Sequence, residues 1–206
     1  MDDRILALCE LSEDLLFARI PQDRMAYYID ASLEAGRNAA VPFRGQSIRA
    51  LYASEHIAIT EKGNGKQGCG VILRGQAVMG KAGCAVEVYR DSIRELAAHS
   101  TWQGVALTTE QALEVHLAHE FFHILEYRSG STVADRLAPV ERFSLLGWKP
   151  TAHITRCCEI AAHAFAKELL GLAALPNLFD YLYLIETGKL TQAAFEEKLT
   201  RMEAML

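Results

Sequence analysis

The sequence predicts an α+β fold with helices at both ends and a small sheet between them. Apolar residues recur at helical spacing near the two ends, whereas short β-branched segments separated by glycine-rich turns occupy the middle. Alternating βαβ units would instead distribute strands along the whole chain. A chain of 206 residues suits one domain of fairly large size. We therefore expect a single domain with N-terminal helices over 1–50, a sheet over 54–90, helices over 108–172 and C-terminal helices over 176–206.

The N-terminal segment is expected to form two helices. Apolar side chains at positions 5, 8, 9, 15 and 16 have helical spacing. The first helix is therefore predicted over 2–20, and Pro21 ends it. The second is predicted from about 23 to 40 and ends before Pro42.

Three short strands are expected in the middle of the chain. The segments HIAIT (56–60), GCGVILRG (68–75) and CAVEVY (84–89) are β-branched or alternating, and turns such as KGNGKQG and GKAG separate them. Consecutive strands joined by such turns predict a small meander. Helical spacing returns in SIRELAAHS (92–100), and 178–185 and 191–205 are predicted as C-terminal helices.

A long helix is predicted from Thr109 to Arg128. Thr108 and Gln111 have the spacing of a capping box, and Gly130 stands where a C-cap glycine would. The helix contains HEFFH, residues 119–123, which is an HExxH motif. A chain of this composition would hold such a match by chance only roughly 0.02 times.

The two histidines of this motif indicate a metal site. Positions i and i+4 lie on the same helix face, so His119 and His123 can bind one zinc ion. Glu120, about 100° further round the helix, can reach a water at the metal and act as a general base. The alternative is a helix that carries polar side chains on one face and binds no metal.

A third ligand is expected from another element, because a catalytic zinc normally has three protein ligands. The best candidate is Glu159, on a helix predicted over 152–172. Small side chains at 161, 162 and 166 would let this helix approach the HExxH helix closely. The third ligand would then face the histidine pair.

Two further histidines lie near these residues. His163, one turn after Glu159, is either a hydrogen-bond partner of a ligand or a competing ligand. His116 lies on the same side of its helix as the pair and is either an edge residue or a fourth ligand. The weakly patterned connection over 129–150, in which ERFSLL would form a helical turn, is long enough to serve as a wall or lid.

The segment from Glu159 to Leu170 reads EIAAHAFAKELL. It resembles the E-x-x-A-(D/N)-x-F-A-x-x-L-L signature of the ImmA/IrrE-type metallopeptidase-like family, whose members are similar to the glutamate zincins and carry an HExxH helix upstream. That family also begins with helices followed by a small sheet. The chain departs from the pattern at Phe122, where the family usually has glycine, and at His163, where it has an acid or an amide.

The resemblance implies a zincin-like fold with one Zn²⁺ per chain, His119, His123 and Glu159 as metal ligands, and Glu120 as the general base. It implies a zinc-dependent metallopeptidase that hydrolyses peptide bonds in a protein or peptide substrate, as a selective regulatory protease of the cytoplasm. Independently of the resemblance, four side chains lie near enough in sequence to the site to donate to the transition-state oxyanion: Tyr127, His153, Arg156 and His163. The alternative function is a non-catalytic zincin-fold module that recognises a partner through the same cleft.

Composition excludes several other classes of protein. Lysine plus arginine number 21 against 26 aspartate plus glutamate, giving a net charge of −5 without a basic run, so direct nucleic-acid binding is not expected. The N-terminus lacks the basic region and apolar core of a signal peptide, and no apolar run approaches the roughly 18 residues of a membrane span. The five cysteines have no CxxC spacing, which predicts free thiols in the cytoplasm.

Overall fold

The computed structural model describes residues 1–65, 72–81, 83–102, 105–143 and 148–206. The α-helices of these ranges are α1 (Asp3–Leu11), α2 (Met25–Ala40), α3 (Ile48–Ser54), α4 (Arg90–Ala98), α5 (Thr109–Ser129), α6 (Val133–Arg136), α7 (Arg156–Leu170), α8 (Asn177–Glu186) and α9 (Gln192–Glu203). The strands are β1 (Ala58–Lys62), β2 (Gly75–Gly80), β3 (Gly83–Tyr89), β4 (Thr101–Trp102), β5 (Val105–Ala106), β6 (Val140–Glu141) and β7 (Thr151–Ala152). The predicted α+β class, with a small three-stranded sheet, is confirmed.

The three-stranded sheet differs from the predicted meander. β3 lies in the middle and pairs in parallel with β1 and antiparallel with β2. Because β3 carries fully buried side chains at Val86 and Val88, it takes the centre and leaves the more exposed β1 and β2 at the edges. Of the predicted strand 68–75, residues 73 and 74 are not in a strand and β2 instead spans 75–80, whereas residues 68–71 lie outside the described ranges.

The first helix is shorter than predicted and ends at Leu11. The cause is the Asp14 carboxylate, which accepts a hydrogen bond from the Leu16 amide at 2.8 Å and turns the chain. Leu15, counted as part of the apolar face, is consequently fully exposed. A single polar side chain thus overrides the helical spacing of the apolar residues around it.

A third N-terminal helix, α3, was missing from the prediction of two helices over 1–50. Ser47 caps it, because its hydroxyl accepts a hydrogen bond from the Ala50 amide at 3.2 Å. Its buried side chains have the i, i+3, i+4 spacing of an amphipathic helix: Ile48, Leu51 and Tyr52. The serine followed by this spacing was the signal that could have found it.

The predicted HExxH helix is confirmed as α5. The Thr108 hydroxyl accepts a hydrogen bond from the Gln111 amide at 3.1 Å, and the Gln111 side chain accepts one from the Thr108 amide at 2.9 Å, forming the capping box. At the other end Gly130 has φ of 71°, the left-handed conformation that a C-cap glycine adopts. Both ends of the helix are therefore set by local sequence.

The connection between α5 and α7 contains more structure than expected. α6 lies within it, and β6 pairs with β7, so that α7 begins at Arg156 rather than near 152. Of the predicted helical turn ERFSLL, residues 141–143 are not helical and residues 144–146 lie outside the described ranges. The two C-terminal helices, α8 and α9, agree with the prediction.

α7 packs between α2 and α5 and fixes the HExxH helix to the rest of the chain. At Gly36 of α2, a Cβ would lie only 2.1 Å from the Ala161 carbonyl oxygen, so glycine is required for this approach. On the side of α5, the ring of Phe165 lies 6.1 Å from that of Phe121 and 5.7 Å from that of Phe122. These contacts hold α5 and α7 side by side. No helix in the described ranges is both long and apolar enough to cross a membrane.

Candidate metal centre

Three side chains from α5 and α7 converge as predicted. The His119 Nε2 atom lies 3.1 Å from Glu159 Oε2 and 3.1 Å from His123 Nε2. The His123 Nε2 atom lies 3.6 Å from Glu159 Oε1. One candidate ligand atom from each of the three residues falls within 4.8 Å of the others. We call these residues the ligand triad.

The spacing within the ligand triad fits a single small metal ion. Zinc bonds of about 2.0–2.1 Å to nitrogen and oxygen at tetrahedral angles place the ligand atoms about 3.4 Å apart. The His119 Nε2 atom lies 3.1 Å from one Glu159 oxygen and 3.1 Å from His123 Nε2, and His123 Nε2 lies 3.6 Å from the other Glu159 oxygen, so each contact is close to this value. Two imidazoles and one carboxylate are also donors that suit a first-row metal ion. The ligand triad could therefore hold one ion with little rearrangement.

Charge is concentrated within the ligand triad. Burial would raise the pKa of Glu159, but the two imidazoles hold this pKa well below its ordinary value. Burial would lower the pKa of His123, whereas hydrogen bonds to Glu126 and Glu159 raise it to about 10. At neutral pH a protonated imidazole thus faces an ionised carboxylate. A cation that binds the three residues displaces the proton of His123.

The N-terminus of α7 is positioned by a residue distant in sequence. The Asp14 carboxylate accepts hydrogen bonds of 3.1 Å from both the Thr155 hydroxyl and the Arg156 amide. Glu159 lies in the first turn of α7, where the helix dipole favours a negative charge. The bend that shortens α1 therefore also fixes the helix that carries the third member of the ligand triad.

Glu120 points toward strand β2 beside the ligand triad. Its Oε2 atom accepts a hydrogen bond of 2.7 Å from the Ala77 amide. Gly75 leaves room for it, since a Cβ there would lie 3.3 Å from Glu120 Cγ and 3.5 Å from Glu120 Oε1. Among the described residues no hydrogen bond to Oε1 is found, and Glu120 lines the cleft between β2 and the ligand triad.

A cleft of about 550 Å³ separates β2 from the ligand triad. Its walls are the outer edge of β2 on one side and α5 with the start of α7 on the other. β2 has no strand partner on this side among the described residues. Because Ala77 directs its amide away from β3, the alternate residues Gly75 and Met79 present their backbone groups to the cleft as well.

Glu126 is a residue of this centre that the sequence analysis missed. Its Oε2 atom lies 3.3 Å from His123 Nδ1, and its Oε1 atom accepts a hydrogen bond of 2.6 Å from the Val133 amide. The side chain is only 7% exposed and lines the cleft. Its position three residues after His123, on the same face of α5, was the available signal.

The two additional histidines are partly buried near the ligand triad but outside it. The ring of His163 lies 4.8 Å from that of His119, and its Nε2 atom is 3.8 Å from Glu10 Oε2. Burial lowers the pKa of His163, and burial lowers the pKa of His116 to about 3. His163 Nδ1 and His116 Nε2 have no hydrogen-bond partner among the described residues.

The predicted oxyanion donors other than His163, whose contacts are given above, are placed differently from one another. Tyr127 is half-exposed and lines the cleft. Arg156 instead donates to the Glu10 carboxylate at 2.8 Å, and the His153 Nδ1–H group donates to the Ala134 carbonyl oxygen at 2.7 Å. Neither of these two lines the cleft in the described part of the chain. Tyr127 is therefore the candidate that the geometry supports.

The cysteines beside Glu159 do not join the ligand triad. Burial raises the pKa of Cys157 to about 12 and that of Cys158 to about 11, so both thiols are protonated at neutral pH. The prediction of free thiols is confirmed for the cysteines at 9, 84, 157 and 158. Cys69 lies outside the described residues. Thiolate chemistry is thus not indicated at this site.

Comparison with protein-family models, with curated proteins and with solved structures yields no match to this chain. The resemblance to the ImmA/IrrE-type family therefore depends on two motifs, HEFFH and EIAAHAFAKELL. The three residues carried over from them as ligands are those that meet in the ligand triad.

Proposed function

We propose that this protein is a zinc-dependent metallopeptidase with a zincin-like fold. The observation that carries the proposal is the position of Glu120, which places a carboxylate at the cleft beside three converging metal-ligand side chains. A site that only holds a structural metal does not require a general base next to its ligands. The resemblance to the ImmA/IrrE-type family supports the same assignment.

The proposed reaction is hydrolysis of a peptide bond. His119, His123 and Glu159 would hold the zinc ion, which lowers the pKa of water and polarises a carbonyl group when bound. Glu120 would accept a proton from the attacking water on its Oε1 atom and then pass that proton to the leaving amine. The Ala77 amide fixes the other oxygen, so the carboxylate stays oriented toward the cleft. Tyr127 would donate to the developing oxyanion.

The shape of the cleft favours an extended peptide substrate. The outer edge of β2 offers backbone donors and acceptors at Gly75, Ala77 and Met79, and an added strand can pair with such an edge. A protein segment that binds there would lie alongside Glu120. We infer a selective protease that acts on a protein in the cytoplasm, and a regulatory protein is the expected kind of substrate.

A non-catalytic binding module is the second candidate, and one contact favours it. The hydrogen bond from the Ala77 amide to Glu120 ties α5 to β2, so the carboxylate has a structural role as well. In this alternative the cleft would bind an extended segment without cleaving it. His163, which stands where the related motif has an acid or amide, distinguishes the site from the usual pattern.

Replacement of Glu120 by glutamine separates the two functions. Glutamine retains an oxygen for the Ala77 amide but cannot act as a base, so the E120Q variant should keep its zinc and lose at least about a hundredfold in cleavage rate. The measurement is mass spectrometry of a proteome-derived peptide library incubated with zinc-loaded protein. Glu110, exposed on α5 and paired with Arg49, provides the matched control E110Q.

The peptide-library experiment has three informative outcomes. Cleavage by the parent and by E110Q, but not by E120Q, would support the peptidase. Equal cleavage by the parent and E120Q would contradict the role of Glu120. A zinc-loaded parent that cleaves no peptide of the library would favour the binding module.

A further inference from the structure

We propose that Glu126 is the positioning residue of His123 and joins this metal ligand to the wall of the cleft. The inference rests on the proposed metal site but concerns a residue outside the ligand triad. Glu126 is 7% exposed, and each of its two carboxylate oxygens has its own partner. A buried carboxylate retained at such a position needs both partners to offset the cost of desolvation.

The first partner is the imidazole of His123. Glu126 Oε2 lies 3.3 Å from His123 Nδ1, whereas His123 Nε2 faces His119 and Glu159. A carboxylate accepts hydrogen bonds only, so the proton of the neutral ring must be on Nδ1. The Nε2 lone pair then remains directed at the other two members of the ligand triad. Glu126 thereby selects the tautomer that binds metal.

The second partner belongs to the wall of the cleft. Glu126 Oε1 accepts a hydrogen bond of 2.6 Å from the amide of Val133, the first residue of α6. The neighbouring Thr132 lines the cleft together with Glu126. The carboxylate is therefore a bridge between a metal ligand and a segment that lines the cleft. Movement of that segment would change the orientation of His123.

Glutamine at this position removes the bridge with little change in shape. The glutamine side chain has one acceptor oxygen, which cannot serve both the imidazole and the Val133 amide. Its amino group would also favour the opposite tautomer of His123, in which Nε2 carries the proton. We expect E126Q to bind zinc about 10–100-fold more weakly than the parent, the loss typical of such outer partners.

The test uses zinc itself as the probe. Zinc affinity is measured at constant pH by competition with a chromophoric chelator for the parent, E126Q and the control E110Q, which changes an exposed glutamate of the same helix. In parallel, proton–nitrogen NMR of the zinc-loaded parent reports the tautomer of His123. The expected result is a slowly exchanging proton on Nδ1 in the parent and weaker zinc binding in E126Q alone.

The outcomes separate this inference from the proposed function. A parent that binds zinc, with E126Q within about threefold of its affinity or with no proton on His123 Nδ1, would overturn the role of Glu126 and leave the metal site intact. A parent that binds no zinc would overturn both. If E126Q does not fold, the tautomer of His123 in the parent decides the question alone.

Discussion

A change of pH acts on the ligand triad through one proton. Hydrogen bonds to Glu126 and Glu159 raise the pKa of His123 to about 10 against the effect of burial. The ring is therefore protonated throughout the neutral range in the absence of metal. Zinc needs a free lone pair on the imidazole, so each ion bound must release this proton. Acidification is expected to weaken zinc binding.

The size of the effect follows from linkage. One proton released per ion makes zinc affinity rise about tenfold for each pH unit below the pKa of His123. Between about pH 6.5 and pH 8.5 the gain is therefore roughly a hundredfold. The stability of the metal-free protein should show the opposite trend with pH. Because the pKa of His123 is raised from an ordinary value near 6.5, the protonated ring stabilises the fold at low pH. This stabilisation is lost, by up to about 1.4 kcal/mol per pH unit, as the pH rises toward about 10.

The assay is chelator competition at three pH values, corrected for protonation of the chelator, with calorimetry in two buffers to count released protons. The control is the His99→Gln variant, which changes an exposed histidine that pairs with Glu186 far along the chain. Its zinc affinity should change with pH as that of the parent does. Zinc affinity that changes by less than about threefold over this range, or binding without proton release, would refute the reasoning.

Two further predictions concern the ligand set and the helix packing. His163→Ala should weaken zinc retention only mildly, whereas Glu159→Ala should abolish it, because only Glu159 belongs to the ligand triad; the reverse order by elemental analysis would reassign the third ligand. Gly36→Leu should lower the free energy of unfolding in urea by about 3 kcal/mol or more, since its Cβ would approach the Ala161 oxygen to 2.1 Å. The exposed α2 variant Glu34→Leu should change it by less than about 0.5 kcal/mol.

The features that sequence predicted correctly are set by local interactions. The limits of α5 follow from a capping box at Thr108 and a left-handed glycine at 130, and both involve residues three or four positions apart. The i, i+4 spacing likewise places His119 and His123 on one face without reference to the rest of the chain. Glu159 was assigned from its motif, and α7 brings it to the pair through the ring contacts of Phe165.

Several features that the sequence analysis missed depend on distant partners, whereas α3 had a local signal at Ser47. α1 ends before Asp14, whose side chain accepts a hydrogen bond from the Leu16 amide and also binds the N-terminus of α7, more than 140 residues away in sequence. The parallel pairing of β1 with β3 depends on which strand is buried in the finished fold, which local spacing does not determine. Glu126 has an ordinary helical context in sequence, and its importance arises from the Val133 amide beyond the helix end.

The measurement that tests the central claim most directly is the zinc content of protein purified without a histidine tag, compared with the Glu159→Ala variant. The geometry of the ligand triad predicts about one zinc ion per chain in the parent, and none in the variant at the same protein concentration. A parent that contains no zinc after zinc is supplied, or a variant that keeps its full complement, would contradict the metal centre and the peptidase proposed from it.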